Sequence, residues 1–195
     1  MNLSGIVLAG GKALRMGGEK PLKELRGKSL LQHAIDLVAP LCGEVVVSAG
    51  DRELHLPKGV VSVPDPKAFE GKGPLAGILA ALEVSKGDMC LIVPCDLPNL
   101  RTQLMAELYE ELGDKDAVYC RLDDGPEPLV AAVRRAAAVK AVRASLTSGN
   151  FKVVPCWDSM GARVKDSSWV ATFGPPADLF ANINTDAQLK RQQQR

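Results

Sequence analysis

Several common chemistries are poorly served by what this sequence lacks. It has two histidines, His33 and His55, and five cysteines (Cys42, Cys90, Cys95, Cys120, Cys156) that are odd in number, scattered and without a C-x-x-C pair. That supply argues against a zinc site and against a disulfide framework. Most of the cysteines follow or lie within apolar runs, where a reduced thiol behaves as a small hydrophobe, as in a reducing cytoplasm. Long apolar runs are missing too. The longest near the start, Gly5 to Ala9, falls far short of a signal-peptide core or a membrane span, so no membrane association is expected and the chain reads as cytoplasmic. Charge of one sign is also scarce: 24 Lys and Arg against 23 Asp and Glu leave +1. That excludes the broad basic field that grips a nucleic acid polymer, and any anion site must be local.

The 195 residues, 46% of them hydrophobic, contain no internal repeat and no linker, which suits one domain around one core. Short apolar, β-branched runs alternate with longer helical patterns. Gly5–Ala9, Glu44–Ala49, Val60–Val63, Met89–Val93, Ala117–Cys120 and Lys152–Pro155 read as strands. Because these runs are apolar throughout, they predict a mostly parallel, Rossmann-like sheet with helices on both faces, an α/β fold. Ser29 is placed to cap a helix with Gln32 returning the bond, and Leu30, Ala34, Ile35, Val38 and Leu41 mark its buried stripe. Pro74 suits the first turn of a second helix reaching Ser85. A third runs from about Thr102 to Leu112 and a fourth from about Arg134 to Leu146. Thr185 and Gln188 repeat the capping spacing before a last helix that passes into a polar tail over 191–195.

The chemistry concentrates in Leu8-Ala-Gly-Gly-Lys-Ala-Leu-Arg-Met-Gly-Gly-Glu-Lys20, directly after the first strand. Its glycines let the backbone approach a ligand and turn N–H groups toward phosphate oxygens, and Arg15 and Lys20 add positive charge. Open α/β sheets place ligands at this end of a strand. The segment is neither a Walker loop, since Glu19 follows Gly18 and Pro21 follows Lys20, nor a G-x-G-x-x-G fingerprint. Glycines alone would indicate only a solvated turn; their coincidence with two cations and a buried strand points to a triphosphate loop.

Asp96 follows the strand Met89–Val93, so its carboxylate emerges at the same sheet edge. A hard oxygen there suits Mg²⁺; capping a helix near Leu100 is the alternative when Asp96 is taken alone. Asp65 also follows a strand, where it could accept from N1–H and N2–H₂ of guanine, contact a ribose, or hold the turn between Pro64 and Pro66. His33 and His55 have no catalytic partner in view and read as structural or solvated. Trp157 and Trp169 are expected to pack, and Asp123, Asp124 and Glu127 to form a solvated loop.

The segment LAGGKALRMGGEK resembles the signature of the molybdenum cofactor guanylyltransferase (MobA-like) family, with Arg15 and Lys20 matching, Ala13 in place of a small hydroxyl residue and Glu19 in place of Asp. Further along, and in the family's order, Pro64-Asp65, Gly73-Pro-Leu-Ala-Gly-Ile78, Pro94-Cys-Asp-Leu-Pro98 and Asn182-Ile-Asn-Thr185 resemble its other motifs. Glu127-Pro-Leu129 stands where many relatives carry His-Pro-Leu. The resemblance implies a fold like the nucleotide-diphospho-sugar transferases and a nucleotide site built from Leu8, Ala9, Gly10, Gly11, Lys20, Ser48, Asp65, Gly73 and Asp96. It further implies Mg²⁺ as cofactor, held by Asp96, and catalysis by Lys20, Asp96 and Arg15.

The implied reaction is attack by a molybdopterin phosphate oxygen on the α-phosphorus of GTP, with Lys20 stabilising the α-phosphate and Arg15 the departing pyrophosphate. An anionic nucleophile needs little help from a base, so alignment and charge neutralisation carry such a step. The implied partners are GTP, molybdopterin and, transiently, other molybdenum-cofactor assembly proteins and apo-molybdoenzymes. A cytidylyltransferase or sugar-phosphate nucleotidyltransferase of the same fold, and a non-catalytic cofactor carrier, are the competing readings.

Overall fold

The structure, a computed structural model, describes residues 3–10, 20–50 and 52–193. In chain order the first half runs β1 (Leu3–Leu8), β2 (Glu24–Leu25), β3 (Lys28–Ser29), α1 (Leu30–Val38), β4 (Glu44–Ser48), β5 (Val60–Val63), α2 (Pro74–Val84) and β6 (Met89–Pro94). The second half runs α3 (Thr102–Glu110), β7 (Ala117–Leu122), β8 (Gly125–Arg134), α4 (Arg135–Thr147), α5 (Val153–Asp158), β9 (Arg163–Lys165), α6 (Ser167–Ala171), α7 (Pro176–Leu179) and α8 (Asp186–Gln193).

Every residue of β1 is buried, which demands cover on both faces. β1 sits mid-sheet in the order β5-β4-β1-β6-β8-β7-β9. β8 runs antiparallel to β6 and β7, and the remaining pairs are parallel. One face is covered by Leu31, Ile35 and Val38 of α1 and Leu104, Met105 and Leu108 of α3. The other is covered by Leu75, Ile78, Leu79 and Leu82 of α2, Ala138, Val142 and Leu146 of α4, and Trp157 of α5. Full burial of each such leucine is worth roughly 1.5–3 kcal/mol. The expected mostly parallel α/β sheet is therefore found.

Local signals fare unevenly. Ser29 caps α1 by accepting from Gln32 N–H at 3.0 Å, but the Gln32 amide does not return the bond; it donates to Asp36 at 2.7 Å, while the Ser29 backbone is paired with Glu24. Lys152–Pro155, expected as a strand, instead opens α5, whose buried Val153, Cys156 and Trp157 follow helical spacing. The expected loop at Asp123, Asp124 and Glu127 is half right. Asp123 and Asp124 are exposed, whereas Glu127 lies within β8 and is partly buried. Pro126 and Pro128 lack N–H donors; Pro126 stands opposite Arg121, and Pro128 falls in a bulge, since Tyr119 faces Ala131 yet Cys120 faces Glu127. The polar tail likewise begins later than expected, because α8 reaches Gln193 and buries Gln192, whose side chain accepts from Asn99 at 3.2 Å.

At the amino ends of β1 and β4 a polar staple joins distant segments. Ser4 Oγ donates to Glu44 Oε1 (2.7 Å) and accepts from Gly87 N–H (2.9 Å), and Lys86 N–H donates to the same Glu44 oxygen (2.5 Å). Burial raises the Glu44 carboxyl, but the Lys86 N–H, the Ser4 hydroxyl and the Lys86 charge outweigh it, and the net pKa falls below the ordinary glutamate value. A folded pKa below the unfolded one means stability that is present above the unfolded value and lost as pH falls through the folded one. Glu44→Gln is therefore expected to lower stability in urea denaturation at neutral pH and to differ little from the unaltered protein in strong acid. A gap that persists in acid would show that the charge is not what holds the staple.

Candidate active site

Four strand ends, those of β1, β4, β5 and β6, meet at the opposite edge of the sheet. Ala9 N–H donates to Ser48 O (2.9 Å), Cys95 N–H to Leu8 O (3.1 Å) and Ala49 N–H to Val63 O (3.0 Å). Parallel pairing thus delivers Leu8, Ala9 and Gly10, Ser48, and Asp96 to one line, with Asp65 just beyond β5. Gly10 closes against the loop after β4: a Cβ on it would lie 3.2 Å from the Gly50 amide nitrogen. Gly11 and Arg15, both expected in this site, lie outside the described residues.

Lys20, at the start of a 3₁₀ turn over Lys20–Leu22, points its ammonium into this edge. Its Nζ donates to Asp96 Oδ2 at 2.7 Å and to Asn184 Oδ1 at 2.7 Å. The Lys20 and Asp96 side chains are only 13% and 22% exposed, so water screens this pair less than it screens an ordinary surface ion pair. Two further contacts hold the acceptors. Ile183 N–H donates to Asp96 O at 2.9 Å. Gln188 Oε1 accepts from Asn184 N–H at 2.7 Å while Thr185 Oγ1 accepts from Gln188 N–H at 3.2 Å. The helix cap expected from Thr185 and Gln188 is thus also the device that orients Asn184. Asn184 appears in the sequence only as part of a motif; its role becomes visible when its oxygen meets Lys20.

Ser48, Asp65 and Gly73 share a second corner through α2. Gly73 precedes that helix with φ 84° and leaves its N-terminus without a side-chain cap. One turn on, a Cβ on Gly77 would lie 2.2 Å from Ser48 Oγ and 3.3 Å from Asp65 Oδ1. The missing side chain is what lets the helix lie against both residues.

β8, by running against its neighbours, brings Glu127 toward the same edge. Burial raises its carboxyl, and the nearby charges of Asp124 and Asp96 raise it further. Behind it the indole N–H of the fully buried Trp157 donates to Pro128 O at 2.9 Å, so this tryptophan packs as expected. Trp169 packs edge-on against Phe173 with 4.8 Å between ring centroids. His33 Nε2 lies 2.8 Å from Leu25 O, a structural contact, and His55 is exposed. Burial pushes the Cys95 thiol up to about 12, with Asp96 adding to the effect, which leaves it an inert neighbour of the site.

Among the described residues no group of three or more His, Cys, Asp or Glu could hold a metal. Asp96 Oδ2 and Asn184 Oδ1 nevertheless converge on a single cation, the Lys20 ammonium, at 2.7 Å each. One carboxylate, one amide oxygen and the phosphates of a ligand form a donor set that suits Mg²⁺.

Known proteins resemble this chain along nearly its whole length. The family model described as the MobA-like NTP transferase domain matches residues 5–154. A molybdenum cofactor guanylyltransferase of Shewanella sp. (strain MR-4) is 31% identical over 193 residues, 98% of this chain and 95% of its own length. The one from Yersinia pestis (strain Pestoides F) is 33% identical over 189 residues, 95% and 92%. The crystal structure of molybdopterin-guanine dinucleotide biosynthesis protein A from Archaeoglobus fulgidus is similar at TM-score 0.78 and 25% identity, covering 98% and 97% of the two chains. The 2-C-methyl-D-erythritol 4-phosphate cytidylyltransferase from Thermus thermophilus, at 14% identity, TM-score 0.70 and coverage of 97% and 96%, shares the fold.

Gly77→Ala is expected to cost about 1–3 kcal/mol of stability through overpacking. Adding Ser48→Ala, which removes the oxygen at 2.2 Å, should return part of the loss. Melting of the single and double variants checks this; a Gly77→Ala protein that melts with the unaltered one would mean that α2 yields freely.

Proposed function

The chain belongs to the family of MobA-like NTP transferase domains, and on that footing we propose that it transfers GMP from GTP to molybdopterin, forming the guanine dinucleotide cofactor. A phosphate oxygen of molybdopterin bonds to the α-phosphorus of GTP. The bond from that phosphorus to the oxygen bridging toward the β-phosphate breaks, and pyrophosphate leaves with the electron pair. The observation that carries the reading is the convergence of Asp96 Oδ2 and Asn184 Oδ1 on one cation at the carboxyl edge of the sheet. The full-length similarity to proteins named molybdenum cofactor guanylyltransferase supports it.

Within this reading Asp96 and Asn184 would hold Mg²⁺, which would neutralise charge on the phosphate oxygens. Lys20, whose ammonium lies 2.7 Å from Asp96 Oδ2, would stabilise charge at the α-phosphate. Leu8 and Ala9 lead the chain to the nucleotide, Gly10 and Gly11 offer it backbone, Ser48, Asp65 and Gly73 bound its base and sugar, and Arg15 meets the pyrophosphate. The acceptor is already an anion, so no general base or covalent enzyme intermediate is needed. Transient contacts with cofactor-assembly proteins and apo-molybdoenzymes belong to the same proposal, as does a cytoplasmic location, which the five free thiols suit. Among the described residues no helix is long and apolar enough to cross a membrane.

The test is pyrophosphate release from GTP and from CTP with molybdopterin as acceptor, with Mg²⁺ and after its removal by chelation. Mg²⁺-dependent release with GTP is expected; release with CTP alone would move the protein to the cytidylyl class, and nucleotide binding without release would make it a carrier. Asp96→Ala should lower turnover by roughly 10²–10³ and remove the response to Mg²⁺, whereas full activity would take Asp96 out of the metal role. Lys20→Ala should lower kcat more than it raises KM for GTP, and a change in KM alone would recast Lys20 as an anchor.

A further inference from the structure

Arg52 lies outside every motif of the nucleotide site, yet its side chain returns to it. Its Nη1 donates to Ala9 O at 2.7 Å, across the gap between the loop after β4 and the end of β1. The Ala9 amide is already committed to Ser48 O at 2.9 Å. Both backbone polar groups of Ala9 are therefore fixed, and with them the direction in which the chain enters the glycine-rich segment at Gly10. Gly10 lies close against the same loop, where a Cβ would stand a tight 3.2 Å from the Gly50 amide nitrogen.

A carbonyl oxygen at the mouth of a phosphate loop is a liability. Turned inward, its partial negative charge opposes the ligand; turned out and hydrogen-bonded, it leaves the following N–H groups to face the phosphates. A guanidinium on that carbonyl does both tasks, since it fixes the orientation and brings a permanent positive charge.

We infer that Arg52 is a positioning residue for the triphosphate: it holds the Ala9 carbonyl out of the phosphate site and sets the path of the loop at Gly10. This rests on the nucleotide-site reading given above. The residue acts on phosphate recognition and leaves base recognition at Ser48 and Asp65 alone.

Calorimetry with GTP, inorganic tripolyphosphate and guanosine tests the inference on the unaltered protein, Arg52→Ala and Arg52→Lys. Loss of one charge-assisted hydrogen bond predicts that Arg52→Ala binds GTP and tripolyphosphate roughly tenfold more weakly. Guanosine binding should be unchanged, and Arg52→Lys should recover part of the loss. GTP binding by Arg52→Ala within about twofold of the unaltered protein would overturn the inference while leaving the nucleotide site standing. So would an equal loss of guanosine, which would mark a general prop of the pocket. Failure of the unaltered protein to bind GTP would remove the nucleotide reading and this inference together. Should Arg52→Ala not fold, Arg52→Lys carries the same comparison, because its ammonium cannot reproduce the planar fork.

Discussion

The arrangement of this molecule's working edge depends on one ammonium group. Lys20 reaches Asp96 and Asn184, residues 76 and 164 positions away in the chain. A carboxylate as shielded as that of Asp96 is costly without a compensating cation, and an amide oxygen in the same corner adds to the negative potential. The ammonium answers both. Around it the backbone is closed by the bond from Ile183 to Asp96 and by the cap that turns Asn184 inward. In the proposed function the same pair of oxygens would hold a divalent ion beside the nucleotide phosphates.

The sheet decides what can reach that corner. Parallel strands bring their carboxyl ends to one side, which is why residues following β1, β4, β5 and β6 become neighbours there. The reversed β8 contributes its beginning, where a parallel strand would contribute its end. It thereby carries Glu127 toward Asp96, where burial and like charge raise its carboxyl. The bulge that admits Pro128 also turns that residue's carbonyl onto the indole of Trp157, so the acid is backed by packed core.

Much of this was legible in the residues. The strands from β1 to β7 that carry β-branched apolar runs, the helix after Pro74, the Ser29 cap and the gathering of Lys20 and Asp96 at one sheet edge all rest on local or strongly periodic signals, and each appears. The failures have physical causes. Pro126 and Pro128 hid β8, because prolines argue against a strand and the ladder is interrupted at Pro128. Lys152–Pro155 is β-branched enough to pass for a strand, yet its helix is fixed by Trp157 seeking a core that only the folded sheet provides. Ser48 was expected at the pocket from the family resemblance while the need for Gly77 was not, since that need arises only when α2 is laid across β4. Asn184 and Arg52 escaped because each acts through a contact with a residue far away in sequence, which no pattern along the chain encodes.

Synthesis runs from the amino end, and the partners of the Lys20 ammonium are made at very different times. Lys20 and Asp96 belong to the first half of the 195 residues, while Asn184 and the helix that orients it come close to the last. On a ribosome the growing chain can therefore lay down the inner strands β4, β1 and β6 and pair Lys20 with Asp96 well before the second oxygen exists. The corner lacks its second oxygen until Asn184 has been made, so up to that point a nascent chain carries only the Asp96 half of the seat.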